Sequence, residues 1–191
     1  MLRLSGLTSF ILVRIVNFSV HFKTVVMLEI KFETIGIIRT SYKTIENMPI
    51  QPMGAKGVKA VVELNSKFAD GLKDLEEFSH VILIYHLHKV IDYKLKVIPF
   101  MDTEEHGVFA TRSPRRPNAI GISTVKLIGV NGNIIHIEDA DVLDGTPLLD
   151  IKPFFGQFDN REHVKSGWLD RKWDEKHITL KSDKRFKTSV E

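Results

Sequence analysis

The sequence predicts a mainly β fold, a sandwich or barrel of short strands, for its central part. From residue 29 onward, short stretches rich in Val, Ile and Phe are separated by turn residues, a spacing typical of these folds. Only one helix-like segment interrupts them, so the strict strand–helix alternation of a doubly wound sheet or a dinucleotide-binding fold is absent. Neither standard glycine-rich phosphate loop occurs, and there is no internal repeat.

Six segments of the chain are predicted strands, at residues 31–38, 57–64, 78–88, 107–111, 120–128 and 134–137. The last two are joined through Asn131-Gly132, the strongest local signal for a hairpin. In the longest segment, period-two alternation separates a face with the histidines from an apolar face. The first face holds His80, Ile82, Ile84, His86 and His88, and the second holds Val81, Leu83, Tyr85 and Leu87.

The one predicted helix spans Ser66–Leu75. Ser66 is of the N-cap type, and Phe68, Leu72 and Leu75 have the spacing of a single apolar helix face. We therefore expect this helix to close one end of the sheet.

Both ends of the chain differ from the middle. The apolar stretch Leu7–Val20 is too short to span a bilayer and contains Arg14, so residues 1–26 are interpreted as an extension, with Met27 as the functional start. Residues 27–155 form the expected barrel or sandwich domain. Residues 156–191 are rich in aromatic and charged residues, and Trp168, Leu169 and Trp173 have approximate helical spacing. We expect this segment to be an appendage docked on the domain.

Composition excludes several classes of protein. The 191 residues include no cysteine, which excludes disulfide frameworks, thiolate metal sites and cysteine nucleophiles and agrees with a cytoplasmic location. The formal net charge is +3, yet residues 1–26 and 161–191 each sum to +3 and residues 27–160 to −3. Nucleic-acid binding therefore requires a local cluster of bases, because the overall charge does not indicate it.

The first candidate site is the loop Thr111–Asn118. It has three arginines, Arg112, Arg115 and Arg116, within five residues, together with two prolines, Pro114 and Pro117. Guanidinium groups on a stiff loop suit a phosphate or a carboxylate. The alternative is a surface loop whose arginines pair with the acids of residues 102–105.

The second candidate is the turn Asp144-Gly145-Thr146-Pro147 and the residues to Pro153. Such a turn presents backbone N–H and C=O groups at close range and can hold the edge of an adenine or an ammonium group. Most turns of this kind are structural, so its significance depends on the arginine loop. Gln51, in the loop Pro49–Pro52, adds a side chain that both donates and accepts.

The histidines form a third candidate. His86 and His88, at i and i+2 of a strand, can bind one metal ion, and His106 can add a ligand. The alternative is that these histidines only form hydrogen bonds in a polar pocket.

In order along the chain, these segments resemble the TrmO/YaeB-type tRNA methyltransferases over about residues 30–155. The similar blocks are Ile35-Gly36, Ser41-Tyr42, Pro49-x-Gln51, the segment 71–80, His88, Gly107–Pro114, Arg116–Ser123, Asp144–Pro147 and Asp150–Pro153. The resemblance implies a small β-barrel with one short helix and a docked C-terminal tail. It also implies an enzyme that binds S-adenosylmethionine and works as a homodimer. Methyl transfer from a sulfonium needs no metal, and no membrane association is expected.

The substrate implied by the resemblance is tRNA, methylated on the N6 nitrogen of threonylcarbamoyladenosine beside the anticodon. Alternatives are another acceptor, or a cofactor sensor without catalysis. The implied cofactor residues are Pro49, Gln51, His88, Lys89, Arg112, Asp144, Gly145, Thr146 and Pro147. Arg115, Arg116 and Asn118 are implied to meet the nucleotide. His88 and Tyr42 are candidates for the base that removes the substrate proton.

Overall fold

Six antiparallel strands close a barrel in the order β1-β2-β7-β6-β3-β8, so the mainly β barrel fold is confirmed. The computed structural model describes residues 29–172 and 181–182; the predicted extension 1–26, Trp173 and most of the basic C-terminal tail lie outside them. The barrel strands are β1 (Gly36–Arg39), β2 (Lys59–Leu64), β3 (His80–His86), β6 (Ile120–Asn131), β7 (Ile134–Glu138) and β8 (Thr146–Pro153). A separate pair consists of β4 (Lys96–Val97) and β5 (His106–Gly107).

The barrel interior is filled by alternate residues of its strands. In β3, Val81, Leu83 and Tyr85 are buried, as the predicted alternation requires, and the neighbouring strands contribute Ile38, Val62, Val125, Ile135, Ile137 and Leu148. Gly36 is needed where β1 pairs with the end of β2, because a Cβ there would lie 2.6 Å from the carbonyl oxygen of Glu63. The Asn-Gly hairpin is confirmed, with Gly132 at φ +60 between β6 and β7.

Two predictions about strands were wrong. Thr146–Pro153 is strand β8, although its prolines and charges indicated only a turn and a loop; it pairs with β1 on one side and β3 on the other and so closes the barrel. Residues 107–111 are not a strand: β5 ends at Gly107, and Val108–Ala110 form one turn of 3-10 helix. The backbone leaves the extended region there because the Val108 carbonyl accepts from the Thr111 N–H at 3.1 Å.

The predicted helix at residues 66–75 is two 3-10 helices, Ser66–Leu72 and Leu75–Glu77, and not one α-helix. Asp74, at φ 66, breaks the segment, and the N-cap is Asn65, whose side chain accepts from the Lys67 N–H. The expected closure of the barrel is confirmed, because Leu72 belongs to the core and Phe68 and Leu75 pack against it. Further short helices are 3-10 helix Pro52–Ala55 and α-helices α1 (Gly156–Asp159) and α2 (Trp168–Lys172).

The described part of the C-terminal segment docks at two places. Trp168 in α2 donates from Nε1 to the Ala110 carbonyl at 2.8 Å, and its ring stacks on His106 with centroids 4.8 Å apart. The backbone of Lys181 forms an isolated antiparallel β-bridge with Pro49, and the Ser182 N–H donates to the Met48 carbonyl at 2.8 Å. These contacts lie beside the Arg112 loop and the Gln51 loop, so the tail braces both. Among the described residues, no helix is long and apolar enough to cross a bilayer.

Candidate functional site

Part of the predicted site comes together at one rim of the barrel. Thr146, at the start of β8, pairs with Ile38 near the end of β1, and His88 lies two residues beyond the end of β3. The Nδ1 atom of His88 lies 3.4 Å from the Oγ1 atom of Thr146. The Asp144 turn, the end of β1 and the exit of β3 therefore share one rim.

Asp144 fixes the turn that precedes β8. Its Oδ1 accepts from the Thr40 N–H at 3.0 Å, and its Oδ2 forms an ion pair with the Lys43 Nζ at 2.7 Å. Lys43 is the main cause of a pKa below the usual range for the Asp144 carboxyl. Gly145 follows at φ +78 and donates its N–H to the Ile38 carbonyl. Both carboxylate oxygens thus anchor the turn to the segment that follows β1, and the Gly145 N–H anchors it to β1 itself.

The loop from β7 to this turn is held by two more aspartates. The Asp139 Oδ1 accepts from the Gly57 N–H at 2.7 Å, next to the start of β2. The Asp141 Oδ1 accepts from the Ser123 hydroxyl at 2.6 Å, on β6. With Asp144, three carboxylates within six residues tie the loop to three different parts of the barrel. The backbone of the predicted cofactor turn is consequently preorganised.

Asp141 ends a buried chain of hydroxyl groups that the sequence did not reveal. The Tyr85 hydroxyl lies 2.9 Å from the Ser123 Oγ, and because Ser123 gives its only hydroxyl proton to Asp141, Tyr85 must be the donor in this contact. Burial raises the pKa of Asp141 to about 6 and also raises the pKa of Tyr85. The one sign of this chain in the sequence is Ser123, a polar residue at an inward-facing position of β6.

The Tyr85 ring requires a glycine across the strand pair. Gly121 is its cross-strand partner, and a Cβ on Gly121 would lie 2.1 Å from the Tyr85 Cε2. The ring therefore occupies the space that any other residue at position 121 would need.

The Gln51 and Arg112 loops meet directly. The Arg112 Nη1 donates to the Gln51 Oε1 at 2.7 Å, which brings together residues 61 positions apart. Burial raises the pKa values of Asp141 and Tyr85, and the Arg112 charge lowers them by a smaller amount. Pro49, two residues before Gln51, is held by its bridge to Lys181.

The other two arginines of the loop are engaged within the protein. Arg115 pairs with Asp92, and its side chain is only 14% exposed. The Arg116 Nη1 donates to the carbonyls of Val108 at 3.1 Å and Thr111 at 2.8 Å. The expected alternative pairing with residues 102–105 was wrong, because Asp102 and Glu104 contact Lys172, and Glu105 contacts Lys96. Asn118 is exposed.

The histidines of the metal alternative point to different places. His86 is exposed on the outer face of β3, while His88 turns off the strand toward Thr146. The His106 Nε2 contacts the Asp102 Oδ2 at 2.9 Å, and its ring faces Trp168. The structure as described contains no group of three or more His, Asp or Glu placed to hold a metal ion.

The two candidates for a base have opposite pKa shifts. Burial and the charge of exposed Lys89 lower the pKa of His88, so its ring is neutral at pH 7. Burial, with the nearby Asp141 charge, raises the pKa of Tyr42. At neutral pH His88 is therefore able to accept a proton, and Tyr42 remains protonated.

An open depression of about 750 Å³ lies next to Asp144. It is lined by strand residues such as Arg39, Lys59 and His136. Of the predicted site residues, only Asp144 contributes to it. The depression therefore adjoins the Asp144 turn and does not include the Gln51–Arg112 pair.

The chain is similar in sequence to tRNA methyltransferases and to an S-adenosylmethionine-binding protein. A family model described as the tRNA-methyltransferase O N-terminal domain matches residues 37–160. A probable S-adenosyl-L-methionine-binding protein of Pyrococcus abyssi is 53% identical over 147 residues, which cover 77% of this chain and 80% of that protein. The mouse tRNA (adenine(37)-N6)-methyltransferase is 36% identical over 139 residues, covering 69% of this chain and 32% of the mouse protein.

Solved structures agree with the sequence matches. The crystal structure of TrmO from Pseudomonas aeruginosa is similar with a TM-score of 0.63 and 33% identity, covering 74% of this chain and 63% of that one. Another TrmO crystal structure gives a TM-score of 0.65 and 36% identity, covering 73% and 64%. The chain therefore spans less than two thirds of these TrmO chains and about a third of the mouse enzyme.

Proposed function

The chain belongs to the family of the tRNA-methyltransferase O N-terminal domain, and we propose on that basis that it is an S-adenosylmethionine-dependent tRNA methyltransferase. The observation that carries the proposal is that predicted site residues far apart in sequence come into contact in two pairs, Gln51 with Arg112, and His88 with Thr146 of the Asp144 turn. The proposed acceptor is the N6 nitrogen of threonylcarbamoyladenosine beside the anticodon. The proposed enzyme is a cytoplasmic homodimer with a barrel domain at residues 27–155 and an appendage at 156–191.

The polar groups of these segments fit S-adenosylmethionine. The Arg112 guanidinium and the Gln51 amide suit a carboxylate, and the buried Asp141 carboxylate suits a cationic centre. The Gly145 turn offers backbone groups, and a Cβ at Gly145 would meet nothing within 4 Å, so there is room for a ligand. Pro49, Thr146, Pro147 and Lys89 complete the proposed cofactor residues. When bound, S-adenosylmethionine supplies an electrophilic methyl group on a sulfonium.

His88 is the base that these residues favour. Thr146 donates its hydroxyl proton to the Leu143 carbonyl at 2.7 Å, so in its contact with His88 the threonine oxygen accepts. The proton of the ring is then on Nδ1, and the lone pair on Nε2 is free to take the substrate proton. The lowered pKa of His88 keeps this form populated at neutral pH. The main task of the remaining residues is alignment of the reactants.

The test combines cofactor binding with product analysis. Purified protein is incubated with methyl-labelled S-adenosylmethionine and total tRNA, and the modified nucleosides are identified. Label in methylated threonylcarbamoyladenosine supports the full proposal, and label in another nucleoside supports only the methyltransferase. His88→Asn should abolish turnover even at saturating S-adenosylmethionine, which separates loss of the base from weaker cofactor binding. His86→Asn, on the exposed outer face, is the matched control.

A second candidate is a cofactor sensor that binds S-adenosylmethionine without transferring methyl. It is favoured by the name of the Pyrococcus abyssi relative, which records binding and no reaction. Tight cofactor binding with no labelled nucleoside would support this candidate and reject the enzyme. Sedimentation equilibrium tests the dimer separately.

A further inference from the structure

Phe109 presents an aromatic ring to solvent in the middle of the arginine loop region. It is 74% exposed, the highest value among the large apolar side chains of the described residues. Exposing a ring of this size forgoes the burial that normally stabilises a domain. The ring is therefore a candidate contact for a ligand or partner.

The backbone around Phe109 is held on every side. The preceding Val108 is buried and donates its N–H to the Leu95 carbonyl at 2.9 Å. The following Ala110 carbonyl accepts from the Trp168 indole at 2.8 Å, and Thr111 is buried. The exposed ring thus stands on a fixed turn, so little conformational entropy is lost when it makes a contact.

A cation accompanies the ring. The Arg116 guanidinium lies over the Phe109 ring at 5.8 Å from its centroid, within the range of a cation–π contact. Its position is set by the two carbonyls of Val108 and Thr111 that it binds. The exposure of the ring leaves its other face available for stacking.

The charge of the surrounding segment favours a polyanion. Residues 107–118 contain three arginines and no acid. Arg115 is paired with Asp92, whereas Arg112 and Arg116 form no ion pair among the described residues, and the nearby Glu104 and Glu105 are paired with Lys172 and Lys96. Aromatic rings beside arginines are the usual means of holding unpaired bases, because the ring stacks on the base while the cations approach the backbone. A protein partner or a second copy of the chain would not need this charge.

We propose that Phe109, with Arg116, is a stacking platform for an unpaired RNA base next to the nucleotide that is methylated. This inference rests on the proposed function and adds a residue that would hold the RNA in position. Two residues, Ala110 and Thr111, separate Phe109 from Arg112, which bonds Gln51 among the proposed cofactor residues, so a base stacked on Phe109 would lie close to the proposed cofactor site. Arg116 positions the ring, and the contact with RNA is made by Phe109.

The test measures binding of a 17-nucleotide stem–loop RNA with a seven-nucleotide loop. Phe109→Ala should weaken this binding by about 5- to 150-fold, the range expected for one stacked base, while Phe109→Tyr keeps it near the wild-type value. The Kd for S-adenosylmethionine should stay within about twofold in both variants. Phe158→Ala removes another ring, 67% exposed, and should leave RNA binding unchanged.

A direct readout uses Phe109→Trp, whose added fluorescence should be quenched by the stem–loop and not by a blunt RNA duplex. If Phe109→Ala binds the stem–loop as the wild type does, while the wild type methylates tRNA, the platform is wrong and the proposed function stands. If the wild type binds no RNA, both fail. A change in oligomeric state of Phe109→Ala would identify the ring as an interface between copies and would overturn the platform.

Discussion

Replacing Gly121 by alanine should destabilise the barrel through one contact. The added Cβ would lie 2.1 Å from the Tyr85 Cε2 and 2.6 Å from its Cζ, far inside van der Waals contact. The ring is 6% exposed and cannot move without displacing core neighbours, an overpacking that costs about 1–3 kcal/mol. Movement of the ring also breaks the hydrogen bond to Ser123 and leaves a buried hydroxyl unpaired, which adds about 1 kcal/mol.

The free energy of unfolding of Gly121→Ala should therefore fall by about 2–4 kcal/mol. For a chain of this size the corresponding decrease in Tm is about 4–16 °C. Urea unfolding followed by circular dichroism measures the change. Gly129→Ala is the matched control, because it lies in the same strand and a Cβ there meets nothing within 4 Å.

Two results would refute this account of Gly121. A loss below about 0.5 kcal/mol would show that the ring moves freely, since changes of that size are typical of surface substitutions. Additive losses in a double-mutant cycle with Tyr85→Leu would show that the methyl group acts elsewhere, because clashing neighbours must couple.

Three further predictions concern the loop and the docked tail. Burial raises the pKa of Asp141 to about 6, so between about pH 4 and 6 the native state binds a proton that the unfolded state has lost, and the free energy of unfolding falls as the pH rises through this window. The urea midpoint of Asp141→Asn should therefore rise relative to that of the wild type from pH 4 to pH 7. A difference that stays constant with pH would contradict the raised pKa. Gly145 has φ +78 with open space around it, so Gly145→Ala should lower the free energy of unfolding by about 1–2 kcal/mol through backbone strain and should weaken cofactor binding. Urea unfolding and calorimetry measure the two effects. An unchanged free energy of unfolding would show that the turn relaxes. Trp168→Phe retains an aromatic ring but loses the hydrogen bond to Ala110, so hydrogen exchange in residues 106–111 should quicken, and unchanged exchange would mean that α2 does not brace this segment.

The sequence predicted the elements whose signals are local. Alternation identified β3 and its inward face, and Asn-Gly identified the hairpin between β6 and β7, because both depend on neighbouring residues alone. Strand β8 was missed because Pro147, Asp150 and Lys152 have low strand preference, and its pairing with β1 and β3 overrides that preference. The helix at residues 66–75 was correctly located but wrongly typed, because Asp74 takes a left-handed conformation that the apolar spacing does not report.

The candidate site shows the same division. The motifs located Gln51, Arg112 and the Asp144 turn, and the structure brings Gln51 and Arg112 into contact. The buried chain through Ser123 to Asp141 could not be predicted, because it depends on which inward positions of β3, β6 and the β7–β8 loop meet inside the barrel. The arginine cluster likewise gave no sign that Arg115 and Arg116 are held by Asp92 and by backbone carbonyls.

The pairing of β1 with β8 joins the first and last strands of the barrel into a ring. Gly36, where the chain enters the barrel, lies opposite Leu148 in the last strand. Deleting either terminal strand would create two free edges, the usual starting points of aggregation. Among the strand pairings of the barrel, this one joins the residues most distant in sequence, so closure is expected to be a slow step of folding. A circular permutant opened at the Gly132 hairpin would keep every strand pairing while moving that slow closure to another seam.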